Sequence, residues 1–252
     1  IKQAVAAKEK IIIYGDADLD GVAAAILMGE IVKNAGGKVE KYYFPERQTE
    51  GYGINKTALE KLAPLAPALL IAVDLGIGNF EEVKSARAAG FFTIIIDHHE
   101  ILAGVPQADI VIDPKQAGDQ SPFKFYCAAG LVFKLAEEIF GNGFYGNLRQ
   151  SFSELAALAT IADMMPREDG NIDIINEGLL TLRQSFRPGL RAFFETDAFF
   201  ENDGRNFKDR LNKIIAVLNV RDIRAGVPAA FDLLTTDSLA RSKKLIREFL
   251  EI

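Results

Sequence analysis

Short apolar runs, four of which lead into acidic residues, constrain this chain more than any other feature. They fall at 11–15 (IIIYG), 38–44 (KVEKYYF), 69–74 (LLIAVD), 92–97 (FTIIID) and 109–113 (DIVID). They are rich in Ile, Val, Phe and Tyr and nearly continuous in hydrophobicity, as strands buried on both faces of a parallel sheet are. Helical patterns separate them at 21–35, 55–63 and 79–89, and Gly36-Gly37 and Gly90 stop the first and last. The alternation predicts an α/β fold, a doubly wound, mainly parallel sheet of about five strands. After about residue 125 the strand signals fade into a helical region, with helices expected over 126–140, 151–162, 174–186, 206–219 and 237–251. Pro and Gly make 164–173 (MMPREDGNID) a turn between helices, and 141–147 (GNGFYGN) reads as a loop. The expected division is an α/β domain over 1–140 and a helical extension over 141–252.

Composition narrows the class. With 252 residues and 49% hydrophobic content the chain can bury a sizeable core. No apolar run reaches the roughly 20 residues of a membrane span, and no signal peptide is visible, so no membrane partner is expected. The single cysteine, Cys127, lies in an apolar setting. It reads as a buried structural thiol, which excludes disulfides and fits a reducing cytoplasm. A net charge of −6 argues against coating nucleic acid by charge alone. A nuclease stays open, because metal ions supply positive charge locally.

In an open α/β sheet, ligands bind beyond the carboxyl ends of the strands. The first strand runs into Asp16, Asp18 and Asp20, the third ends in Asp74, the fourth in Asp97-His98-His99 and the fifth in Asp113. The chain has two histidines and both are in this one motif. Carboxylates joined by imidazole suit Mn²⁺, Zn²⁺ or Fe, with so many oxygen ligands favouring Mn²⁺ over a structural zinc, whereas carboxylates alone suit Mg²⁺. So many acids around one point suit two ions with a bridging carboxylate, and Asp74 at the middle of the rim is the candidate bridge. A strand-end Asp often just caps the next helix, but three at alternate positions exceed what one cap needs. A calcium-binding helix–loop–helix is excluded, because its twelfth position would be Leu27 and a strand precedes the loop. Asp113, before Pro114, has turn initiation as its ordinary reading. Asp163 closes the apolar stretch SFSELAALATIAD, the wrong helix end for a carboxylate, which makes it a candidate ligand.

These motifs together resemble the DHH phosphoesterases. GDADLDG at 15–21, the lone Asp74, DHH at 97–99 and TIAD ending at Asp163 match that family's four-motif signature. PERQTEGYG at 45–53 is similar to the RecJ-type single-stranded-DNA exonucleases in particular. The resemblance implies metal-dependent phosphodiester hydrolysis, 5′ to 3′ on single-stranded DNA or short oligonucleotides, in DNA repair and recombination, with Mn²⁺ or Mg²⁺, two ions in all. It implies one ion each on Asp18 and Asp20 with Asp16 nearby, Asp74 as the bridge, His98 as a ligand and Asp163 completing the second ion. His99 would face the scissile phosphate and Asp97 would orient a histidine. Arg47 is the candidate phosphate contact, with a surface salt bridge to Glu46 or Glu50 as its ordinary alternative. Tyr52 would stack on a base, with core packing as the alternative, and Gly51 and Gly53 would let the backbone approach the strand. Protein partners are unspecified.

The chain departs from the family at two places. Cys127-Ala128-Ala129-Gly130 stands where those exonucleases usually have a glycine-rich turn, and Asn219-Val220-Arg221-Asp222-Ile223 stands where they usually have NAAGR. Arg221 or Arg224 would have to replace the arginine of the second motif. The family's C-terminal substrate-binding and oligonucleotide-binding domains have no counterpart in these residues, which implies a core or a divergent relative. The competing expectations are a hydrolase of small substrates such as cyclic dinucleotides or pyrophosphate, and an inactive replication scaffold. Retention of every motif acid and both histidines opposes the scaffold.

Overall fold

The computed structural model describes residues 1–196 and 206–250. A short helix α1 (Lys2–Ala6) leads into β1 (Ile11–Gly15), α2 (Leu19–Asn34) and β2 (Val39–Tyr43). Two small helices, α3 (Arg47–Glu50) and α4 (Lys56–Leu62), precede β3 (Ala68–Val73), α5 (Phe80–Ala88), β4 (Phe91–Ile96) and β5 (Ile110–Ile112). The five strands form one sheet in the order β2-β1-β3-β4-β5, and every pairing is parallel. The expected doubly wound α/β sheet is therefore present.

Alternate residues of each strand serve two different cores, which is why the runs read as continuously apolar. Ile11 and Ile13 of β1, with Leu69, Ile71 and Val73 of β3, pack into one cluster under α2. Ile12, Tyr14, Leu70 and Ala72 face the other way, onto Leu59 of α4 and Val83 of α5. Helix α2 is apolar nearly all round, with residues 19–29 buried, as a helix enclosed between the sheet and other helices must be.

The second half is helical: α6 (Ala128–Phe140), α7 (Gly146–Ala162), α8 (Asp169–Thr181), α9 (Pro188–Glu195), α10 (Phe207–Leu218), α11 (Ala229–Thr235) and α12 (Leu239–Leu250). Their apolar faces join the α2 side of the sheet in one continuous cluster. Four local expectations are corrected. The turn expected over 164–173 is cut short, because α8 starts at Asp169 and ends at Thr181 rather than running over 174–186. Acidic Asp169 in its first turn suits the positive helix end. Helix α7 begins inside the expected 141–147 loop. Helix α9 was not expected; Pro188 sits in its first turn, where its missing N–H costs nothing. Strand signals do not end with β5: β6 (Ile223–Arg224) and β7 (Val227–Pro228) form a hairpin across Ala225 and Gly226, both at positive φ. Of the helix expected at 237–251, residue 251 lies outside the described residues.

Candidate metal centre

In the order β2-β1-β3-β4-β5 the direction of winding reverses between β1 and β3, so a crevice opens beyond the ends of those two strands. The loop after β1 carries Asp16, Asp18 and Asp20, and β3 ends into Asp74. Two backbone features aim these groups. Gly21 lets the loop fold onto itself, since a Cβ there would stand 2.5 Å from the Asp16 carbonyl oxygen. Asp74 adopts φ 63°, a left-handed conformation uncommon outside glycine, while its N–H donates to Ile96 O at 2.9 Å. Strained backbone of this kind concentrates at functional sites.

Asp16, Asp20, Asp74, Asp97 and His98 are between 1% and 4% exposed. His98 Nε2 lies 3.2 Å from Asp74 Oδ1 and 3.6 Å from both Asp20 Oδ2 and Asp163 Oδ2. Yet His98 Nε2 and Asp163 Oδ2 are buried without a hydrogen-bond partner. Three groups have ligand atoms within 4.8 Å of one another: Asp16, Asp18 and Asp74; Asp74, His98 and His99; and Asp20, His98 and Asp163. Asp74 is common to the first two and His98 to the last two, so the expected ligand residues form one continuous centre. Orphaned nitrogen and oxygen atoms converging among carboxylates are what a divalent cation with O and N donors requires.

The acids titrate accordingly. Burial, then repulsion from Asp20, Asp18 and Asp16, pushes Asp74 well above the ordinary carboxylate range. Burial and Asp20 raise Asp163 to about 6, against the opposing pull of His98. Burial also raises Asp16 and Asp20. Burial works against ionisation of Asp18 too, but the Arg221 hydrogen bond and the Gly21 N–H bring it below its usual value. A site holding so many unfavourably buried carboxylates lacks positive charge.

Part of that charge comes from the protein, where the sequence pointed to metal alone. Arg221 Nη2 donates to Asp18 Oδ2 at 2.7 Å. Arg47 forms an ion pair with Asp16 and stacks over Tyr52, 4.6 Å from the ring centroid. The surface pairing expected as the alternative for Arg47 does not form, since Glu50 is engaged by Tyr43 and Lys61. Arg224 instead pairs with Asp222 and Glu248. Tyr52 is 51% exposed, so it is no core residue, and its ring meets His99 edge-on at 6.3 Å. Gly51 is exposed, whereas Gly53 is buried, its missing Cβ leaving room for Asn79.

Asp97 supports the histidines. Its Oδ1 lies 2.6 Å from His99 Nδ1 and accepts the His98 N–H, while its Oδ2 accepts the Ile77 N–H. The bond from Asp97 raises the His99 pKa, and the same bond overcomes burial to lower that of Asp97. Asp113 takes its ordinary role, accepting the Lys115 N–H in a turn. Sequence reasoning missed two contacts: Asn219 Oδ1 accepts the Leu19 N–H, and the Ala128 and Ala129 N–H groups hold both oxygens of Asp20.

Fold and centre together define a chain of the DHH family, to which it belongs: residues 10–162 match the DHH family, N-terminal domain. Within the family its likeness runs to single-stranded-DNA-specific exonuclease RecJ. RecJ of Bacillus subtilis is 36% identical over 244 residues, covering 94% of this chain and 30% of that protein. RecJ of Thermus thermophilus is 27% identical over 98% of this chain and 36% of its own length. A crystal structure of exonuclease RecJ bound to manganese matches 99% of this chain and 62% of that one, with a TM-score of 0.83 and 26% identity. The chain spans about a third of the length of these curated relatives. Among the described residues no helix is long and apolar enough to cross a membrane.

Proposed function

We propose that this chain is the metal-dependent catalytic core of a single-stranded-DNA exonuclease, hydrolysing phosphodiester bonds from the 5′ end. The observation that carries the reading is the convergence of unpartnered His98 Nε2 and Asp163 Oδ2 with buried Asp20 and Asp74. Likeness to RecJ enzymes that act on single-stranded DNA, one of them solved with manganese, supports nucleic acid as the substrate.

Asp16, Asp18 and Asp74 would hold one Mn²⁺ or Mg²⁺, and Asp20, His98 and Asp163 a second, with Asp74 between them. Bound divalent cations supply Lewis-acid stabilisation of the phosphoryl oxygens and acidify water at neutral pH. The protein's own groups do the rest. His99, oriented at Nδ1 by Asp97, offers its Nε2 to a phosphate oxygen as a donor. Arg47, anchored between Asp16 and the Tyr52 ring, stands at the mouth of the centre for a backbone phosphate. Exposed Tyr52 gives a base a surface to stack on. Without cations the carboxylates repel the phosphate, so substrate binding requires metal. Residues 1–140 form the phosphoesterase unit and 141–252 the extension that brings Asp163 to it.

The test compares Mn²⁺-dependent product release from 5′-phosphorylated single-stranded DNA, a dinucleotide and pyrophosphate. Progressive nucleotide release from the DNA is expected. Turnover of the dinucleotide or pyrophosphate alone would replace the exonuclease reading with a small-substrate hydrolase.

A further inference from the structure

Cys127 lies at the junction of two helices that serve the metal centre. It occupies the N-cap of α6 and is wholly buried. Its Sγ accepts the Gly130 N–H at 3.4 Å and lies 3.5 Å from Thr160 Oγ1. The Thr160 hydroxyl donates its proton to Ala156 O at 2.7 Å, and the Cys127 side chain meets the Asp20 carboxylate as well as Thr160.

Each end of this contact leads to an acid. On the α6 side, the two N–H groups after Cys127 hold Asp20, Ala128 N to Oδ2 at 2.7 Å and Ala129 N to Oδ1 at 2.8 Å. On the α7 side, Thr160 stands three residues before Asp163, and its carbonyl accepts the Met165 N–H beyond it. Asp20 Oδ2 and Asp163 Oδ2 each lie 3.6 Å from the unpartnered His98 Nε2. The contact between thiol and hydroxyl thus fixes the start of α6 against the end of α7.

We propose that Cys127 is a positioning residue, which through Thr160 sets the separation of Asp20 and Asp163 about His98. A capping role alone does not account for sulfur here, because serine and its relatives are the preferred helix N-caps. Serine would keep the cap, but its shorter bond and smaller atom would draw α6 and α7 out of register. The inference rests on the two-ion reading and deepens it: Cys127 governs the affinity of one ion, the one on Asp20, His98 and Asp163.

The test uses the metal alone. Mn²⁺ is titrated calorimetrically into chelator-treated wild type, C127S, T160V and the double variant, and each is also unfolded in urea without metal. C127S and T160V should each weaken one of the two ions about tenfold, the size of effect seen when groups behind metal ligands are changed. The other ion and the urea midpoint of C127S should not fall. The double variant should be no worse than the worse single one, because both break the same contact. Wild-type affinity for both ions in C127S overturns the proposal, as does weakening of both ions in step with a falling midpoint. If the wild type itself binds no Mn²⁺, the metal reading fails and takes this inference with it. If the wild type binds two ions and C127S binds them equally well, only the inference fails.

Discussion

Arg221 reaches back across 203 residues to place its guanidinium 2.7 Å from Asp18 Oδ2, so the hairpin region closes onto the loop after β1. The pair is partly exposed, with the Arg221 side chain 47% accessible, and such pairs contribute about 0.2–1 kcal/mol. Arg221 therefore competes mildly with a cation for Asp18. R221Q should bind Mn²⁺ about two- to fivefold more tightly in the absence of DNA, and Mn²⁺ titration checks this. Weaker binding would mean that the guanidinium orients Asp18 for the ion.

Asp74 is buried among acids that raise its pKa. D74N removes a like charge without changing shape, so in chelator the variant should withstand urea better than wild type, by about 1–3 kcal/mol at pH 7.5. With Mn²⁺ present the order should reverse, because the wild type gains more stability from the ions than D74N does.

Asp163 contributes to the pH dependence. Its folded pKa, about 6, lies above the ordinary 3.8, so between those values the folded state holds more protons than the unfolded one. Stability of the metal-free chain contributed by this group should therefore fall as pH rises from about 4 to 6. Urea midpoints across that range should fall less steeply with pH in D163N. Mn²⁺ affinity should rise over the same window as the competing proton leaves.

The strand-end acids were legible because strand, turn and acid are all local signals. Buried parallel strands are continuously apolar, and the first polar residue after each marks the rim. The roles of Arg221 and Asn219 were not legible, since each meets the β1 loop from about 200 residues away. Arg47 was singled out by its loop, but its partner Asp16 lies 31 residues back. The start of α8 was hidden by Pro and Gly in a segment that packing and acidic residues at its N-terminus make helical. Cys127 was legible as a buried thiol. Its position beside the groups that hold Asp20 depends on how α6 meets α7.

The Asp97–His99 bond should appear in titration and rate separately. D97N should lower the His99 pKa, followed by NMR of the imidazole, because the bond that raises it is lost. Nucleotide release should drop by about 100-fold or more while two Mn²⁺ still bind. Loss of the ions instead would make Asp97 a support for the metal centre as a whole.

Gly21 should tolerate no side chain. The Cβ of G21A would meet Asp16 backbone atoms at 2.5–2.8 Å, so the loop must shift. The expected cost is about 1–3 kcal/mol in urea unfolding, with loss of Mn²⁺ binding.

The most direct test of the metal centre is the stoichiometry of Mn²⁺ binding at neutral pH, by calorimetry or equilibrium dialysis. Two ions per chain are predicted for the wild type, with both weakened in D74N because its carboxylate stands between the two groups of ligands. No bound Mn²⁺, or two ions retained at unchanged affinity in D74N, would contradict it.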